Sequence, residues 1–118
     1  MPVDFSVRPV YYGHMPKSAP VLPKIAFEQN AKLYKVLANE KRLEILNNIK
    51  HRELSVEQLL KITCLPKANL SQHLALLRHS RLVRARKQGL NVYYTIVDPE
   101  IIEPCVILHK LWRNKKIS

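Results

Sequence analysis

The chain has 118 residues, enough for one domain, and 47% of them are hydrophobic, which excludes a disordered polypeptide. Lys and Arg number 20 against 9 Asp and Glu, for a net charge of +11 and a pI near 10.0. That excess calls for a polyanionic partner, nucleic acid before an anionic membrane surface.

Residues 1–23 carry Pro2, Pro9, Pro16, Pro20 and Pro23. Proline removes amide donors and blocks helix, so this stretch is read as an N-terminal arm or tail, ahead of a folded domain over residues 24–118. It begins Met1-Pro2-Val3-Asp4-Phe5, without the charged start and apolar stretch of a signal peptide. No apolar run is long enough to span a bilayer, so a cytoplasmic location without membrane contact is expected.

From Lys24 the pattern turns helical. Phe27, Ala31, Tyr34 and Leu37 or Ala38 recur at spacings of three and four and share one face. Asn39 reads as an N-cap with Arg42 at the third helical position, and Leu43, Leu46 and Ile49 give the stripe of a second helix ending near His51. Ser55-Val56-Glu57-Gln58 has the capping-box pattern and opens a short third helix that runs to about Thr63. Pro66 separates it from a fourth helix, whose buried stripe is Leu70, Leu74 and Leu77 and which stops near Ser80. Two short helices around a tight turn make a helix-turn-helix.

Alternation follows: Leu82 to Arg86, a turn at Lys87-Gln88-Gly89-Leu90-Asn91, then Val92 to Ile96. This predicts a β-hairpin. Asp98 caps a last helix with Pro99 at its first position. Pro104 lies too deep for that helix to be regular, so it kinks there or begins there. The fold class is mainly α with a β-hairpin wing, a winged helix-turn-helix. A chain this short buries a modest core, which a dimer would extend.

From Gln58 to Val97 there is no acidic residue, while Lys61, Lys67, Arg78, Arg81, Arg84, Arg86 and Lys87 all fall there. A helix that reads DNA needs small or bidentate side chains on the outer face of its first half. Lys67, Ala68, Asn69, Ser71, Gln72 and His73 meet that description. Gln72 can pair with an adenine edge, and Ser71 can bond a base or a phosphate. Asn69 either reads a base or caps the helix. His73 either reaches a phosphate or packs against the hairpin. Lys67 and Arg78 suit phosphates. On the wing, Arg84, Arg86, Lys87, Gln88 and Asn91 form a tip that can follow the backbone or enter a narrow minor groove, with no acid expected nearby to neutralise it.

Several segments resemble one family. Leu33-Tyr34-Lys35-Val36-Leu37-Ala38-Asn39-Glu40-Lys41-Arg42-Leu43-Glu44-Ile45-Leu46 is similar to the opening signature of the arsenic-repressor (ArsR/SmtB) regulators. Glu53 to Leu59 resembles their third-helix opening, and Asn69 to Arg78 their recognition helix. Arg81-Leu82-Val83, Lys87-Gln88-Gly89 and Val92-Tyr93-Tyr94 resemble their hairpin. The resemblance spans about Ala31 to Asp98. It implies a homodimer built on the first and last helices, which binds an imperfect palindrome in double-stranded promoter DNA and represses until a chemical signal releases it.

The same resemblance directs attention to a sensor. The family's thiolate metal site would fall at Glu53 to Glu57, which holds no Cys. Its other site needs more than the Asp98, Glu100 and His109 present here, so no metal is expected. Cys64, in the turn before the fourth helix, and Cys105, in the last helix, are the candidates for a redox sensor; otherwise they are small buried hydrophobes. Two glycines leave no phosphate loop, and there is no nucleophile–base pattern, so neither an enzyme nor a cofactor is expected. The alternative function is a winged helix used for protein contacts or architecture.

Overall fold

The computed structural model describes residues 21–117, and the proline-rich segment up to residue 20 lies outside them. The chain divides into two units, residues 1–30 and 31–118. In the first, residues 21–23 are exposed and irregular, and the Ala26 amide donates to the Pro23 carbonyl as helix α1 (Lys24–Leu37) starts. In the second unit, α1 ends and is followed by α2 (Glu40–Asn48), β1 (Leu54–Ser55), α3 (Val56–Thr63), α4 (Lys67–His79), β2 (Val83–Gln88) and β3 (Asn91–Ile96). A 3-10 turn (Pro99–Ile102) leads into α5 (Glu103–Arg113).

Caps set the helix starts. Asn39 sits in extended backbone, and its side chain accepts from the Lys41 and Arg42 amides at 3.0 and 3.1 Å. Ser55 Oγ accepts from the Gln58 amide while Gln58 Oε1 accepts from the Ser55 amide, a complete capping box. Asp98 accepts from the Glu100 amide. Proline decides the last helix: Pro99 opens the 3-10 turn and Pro104 falls in the first turn of α5, so the helix begins at Glu103, one residue before Pro104, rather than kinking there. Helix α2 stops at Asn48, a turn short of His51, and Arg52 donates back to the Asn48 carbonyl.

Helix α4 ends with Arg81 in the left-handed region at φ 62°. The Leu82 amide then reaches the Leu77 carbonyl and the Arg81 amide the Arg78 carbonyl, a Schellman closure. That closure turns the chain directly into the wing.

The sheet has three strands in the order β1-β3-β2, all antiparallel. The hairpin is the expected one, with Gln88 opposite Asn91 across Gly89-Leu90. Gly89, at φ +62°, takes the first turn position, where other residues are strained. Strand β1 is additional: Leu54 pairs with Tyr94 and Ser55 with Tyr93.

The core gathers Ile45, Leu46, Ile49, Leu54, Leu59, Leu70, Leu74, Leu77, Leu82, Val83, Ile96 and Ile102. Each such side chain contributes about 1.5–3 kcal/mol on burial. Leu33, Val36 and Leu37 bring α1 against it. Of the apolar face read from the sequence, Leu37 is therefore inward, whereas Phe27, Ala31, Tyr34 and Ala38 are exposed. A second stripe, at 33, 36 and 37, meets the core instead. Among the described residues no helix is long and apolar enough to cross a membrane.

Candidate nucleic-acid interface

Helix α4 is phased by Leu70, Leu74 and Leu77, all buried, so its other faces point away from the core. Lys67, Ala68, Asn69, Ser71, Gln72, Ala75 and Arg78 are exposed. No acidic residue lies in its first turn. The residue at the N-cap is Pro66, which supplies no side-chain cap, so Asn69 stands free on the surface rather than capping the helix.

A groove of about 520 Å³ runs beside α4, lined by Val56, Ser71, Leu74, Ala75, Arg78, His79 and Tyr94. It lies between α4 and β3, the central strand of the sheet. Ser71 and Arg78 are thus two turns apart along one wall of a single channel. The sequence marked Tyr94 as a strand residue and gave no sign that it forms the facing wall.

His73 is half-buried. Its Nδ1 lies 3.3 Å from an Nη of Arg42 on α2, not against the hairpin. Burial, and then the Arg42 charge, hold its pKa below the ordinary histidine value. A neutral imidazole is a poor phosphate anchor, so His73 belongs with the packing of α4 and not with its cationic surface.

The wing divides its residues by strand alternation. Directly opposed residues share a face, so Arg84, Arg86 and Gln88 lie with Thr95, Tyr93 and Asn91. Lys87 lies on the other face with Val92 and Tyr94, the face that looks toward the α4 groove. The five cations and amides of the wing are therefore divided between two faces and do not form one patch.

One sequence expectation is overturned here. The acid-free stretch implied that Arg86 has no acid to neutralise it, yet it is tied to Glu53. Its Nε lies 3.0 and 3.2 Å from the two carboxylate oxygens, and an Nη donates at 2.9 Å. A further Nη donates to Gln88 Oε1 at 2.7 Å, and the guanidinium sits 4.9 Å over the Tyr93 ring. Hydrogen bonding to Arg86 holds the Glu53 carboxyl below its usual range. The two are 33 residues apart in sequence and adjacent because Glu53 immediately precedes β1. Arg86 and Gln88, though exposed like Arg84, Lys87 and Asn91, are thus held by partners within the protein. Leu90, at the tip, is fully exposed.

Cys64 is exposed. It forms the left-handed C-cap of α3 at φ 57°, and its Sγ is 3.6 Å from the Lys61 carbonyl. Cys105 is partly buried against the core. No cluster of three His, Cys, Asp or Glu side chains suited to a metal ion occurs among the described residues.

The family model described as bacterial regulatory protein, arsR family, matches residues 39–85, from the α2 cap to the first strand of the wing. The transcriptional repressor PagR of Bacillus anthracis is 37% identical over 78 residues, which are 65% of this chain and 78% of PagR. The transcriptional activator HlyU of Vibrio cholerae is 42% identical over 80 residues, 68% of this chain and 74% of HlyU. The solved structure of that HlyU superposes with a TM-score of 0.68 at 38% identity, covering 76% of this chain and 98% of HlyU. The acid-free outer face of α4, the wing beside it and these relatives lead to one conclusion: the chain belongs to the arsR family of bacterial regulatory proteins and is a winged-helix, DNA-binding regulator of transcription.

Proposed function

We propose that the protein is a homodimeric repressor that binds an imperfect palindrome in cytoplasmic promoter DNA. Helix α4 lies in the major groove, with Asn69, Ser71 and Gln72 toward base edges and Lys67 and Arg78 on phosphates. Arg84, Lys87 and Asn91 of the wing track the adjacent backbone. The observation that carries this reading is the exposed polar face of α4 over its buried leucine stripe, beside a groove that holds Arg78.

Dimerisation through the first and last helices is supported by what they leave uncovered. Tyr34 on α1, and Ile107, Leu108 and Trp112 on α5, are each about half exposed or more. Aromatic and aliphatic side chains at helical spacing on two helices suit a subunit contact.

For release, thiol oxidation is favoured over metal. Cys64 is exposed one turn ahead of α4, so a bulky or charged oxidised sulfur there would disturb the start of the reading helix. Operator binding by Cys64→Ser and Cys105→Ser with and without oxidant tests this. An unchanged response in both ends the redox reading.

The decisive experiment is selection of bound sequences from random duplex DNA, followed by footprinting. Two inverted half-sites about 10 bp apart, centre to centre, are expected. Failure to enrich any sequence overturns DNA reading and leaves a module for protein contacts. PagR is named a repressor and HlyU an activator. A promoter–reporter assay carrying the selected site distinguishes the two directions.

A further inference from the structure

Arg42 stands in the sequence as the third residue of a helix. In the fold its Nε donates to the Val36 carbonyl, in the last turn of α1, and an Nη lies 3.3 Å from Nδ1 of His73, midway along α4. One planar, partly buried guanidinium thus joins three helices, and its rigid fork fixes the angle between the groups it holds. Arginine has no acceptor, so Nδ1 must present its lone pair, and the contact requires a neutral ring. The charged group facing that ring is Arg42 of α2. On the ring's own helix Asn69 and Leu77, one turn away on either side, carry no charge, and α1 contributes the Val36 carbonyl. The neighbouring cation, Lys41, is turned to the Thr63 carbonyl and Glu44.

We propose that Arg42 is a positioning residue for DNA reading: by clamping His73 to the end of α1, it sets the angle at which α4 presents Ser71 and Gln72. The proposal rests on α4 being the reading helix. Ser71 and Gln72 directly precede His73, so a rotation of α4 that moves one moves all three. Base readout tolerates displacements of only about 0.5 Å.

Protonating His73 places an N–H and a positive charge against the guanidinium, and the clamp opens. Simple electrostatics has the opposite sign, because a new positive charge on α4 strengthens binding to any duplex. The two effects separate cleanly in the ratio of operator to scrambled-duplex affinity.

The full chain is titrated with a selected operator and with a scrambled duplex, at fixed ionic strength, from about pH 7.5 to about pH 4.5, so that the range extends well below the ordinary histidine value, where His73 takes its proton. For the unsubstituted protein the ratio is expected to fall about tenfold on acidification, the equivalent of a lost hydrogen bond to a charged group. His73→Asn, whose Oδ1 takes the place of Nδ1 at any pH, keeps the ratio flat. Arg42→Lys, which has no fork, starts roughly tenfold lower at neutral pH while retaining scrambled-duplex affinity. An unsubstituted protein as flat as His73→Asn overturns the proposal, as does an Arg42→Lys protein that discriminates normally. If no duplex is enriched to begin with, the DNA-reading assignment itself fails.

Discussion

Helix α4, with Lys67 and Arg78, and the wing, with Arg84, Arg86 and Lys87, are both basic and free of acids in sequence, yet the fold uses their charges differently. Along α4 the polar residues share an outer face and make few internal commitments, His73 being the exception. Along the wing, alternation sends Lys87 toward the α4 groove and Arg86 to the opposite face, where Glu53 and Tyr93 hold it. Helical phase concentrates like residues, whereas strand alternation divides them. A count of cations therefore overstates the anchoring power of a wing more than that of a helix.

The comparison breaks most severely if the face of α4 is unseated. Leu70 is wholly buried beneath it, and Leu70→Ala is expected to cost about 2–5 kcal/mol in denaturant unfolding, with loss of DNA binding. Gln72→Ala leaves stability unchanged and is expected to cost about 1–3 kcal/mol of operator affinity while sparing scrambled DNA. Unaltered operator discrimination would remove Gln72 from the readers. Lys87→Ala acts as an anchor lost rather than a reader lost: both duplexes weaken, and the log–log salt slope flattens by about one unit.

The smallest effect sharpens the comparison most. Glu53→Gln releases Arg86, so scrambled-duplex affinity should rise slightly and the salt slope steepen by up to about one unit. Arg86→Gln should instead leave the slope nearly unchanged, because that charge is neutralised by Glu53 in the free protein. The pair also sets a pH dependence. The Glu53 pKa is lowered on folding, so its stabilising contribution is present above the usual carboxylate value and is lost as pH falls through that value and below it. Acid unfolding curves of Glu53→Gln should lack that component.

What was legible in the sequence is what local chemistry decides. Asn39, Ser55 and Asp98 announce helix starts by their side-chain oxygens, and Leu70, Leu74 and Leu77 give α4 its phase. What was not legible depends on partners remote along the chain. Strand β1 has two residues, too few to show a period, and exists because β3 offers it an edge. Glu53 reads as an acid outside the basic stretch until β1 carries it to Arg86. The link between Arg42 and His73 spans 31 residues and joins two helices whose patterns are each complete without it. In α1 two apolar stripes compete, and periodicity alone does not say which one meets the core.

Ser55 is at once the last residue of β1, opposite Tyr93 of the wing, and the cap of α3, the first helix of the helix-turn-helix. No linker separates the sheet from the helical pair at that point. A load on the hairpin is passed through one residue into the helices, so in the proposed complex the wing and α4 would meet a duplex as a single stiff part. Under the proposed dimeric reading, little ordering entropy is spent in seating the wing, and half-site spacing would be governed by the subunit contact rather than by slack inside each subunit.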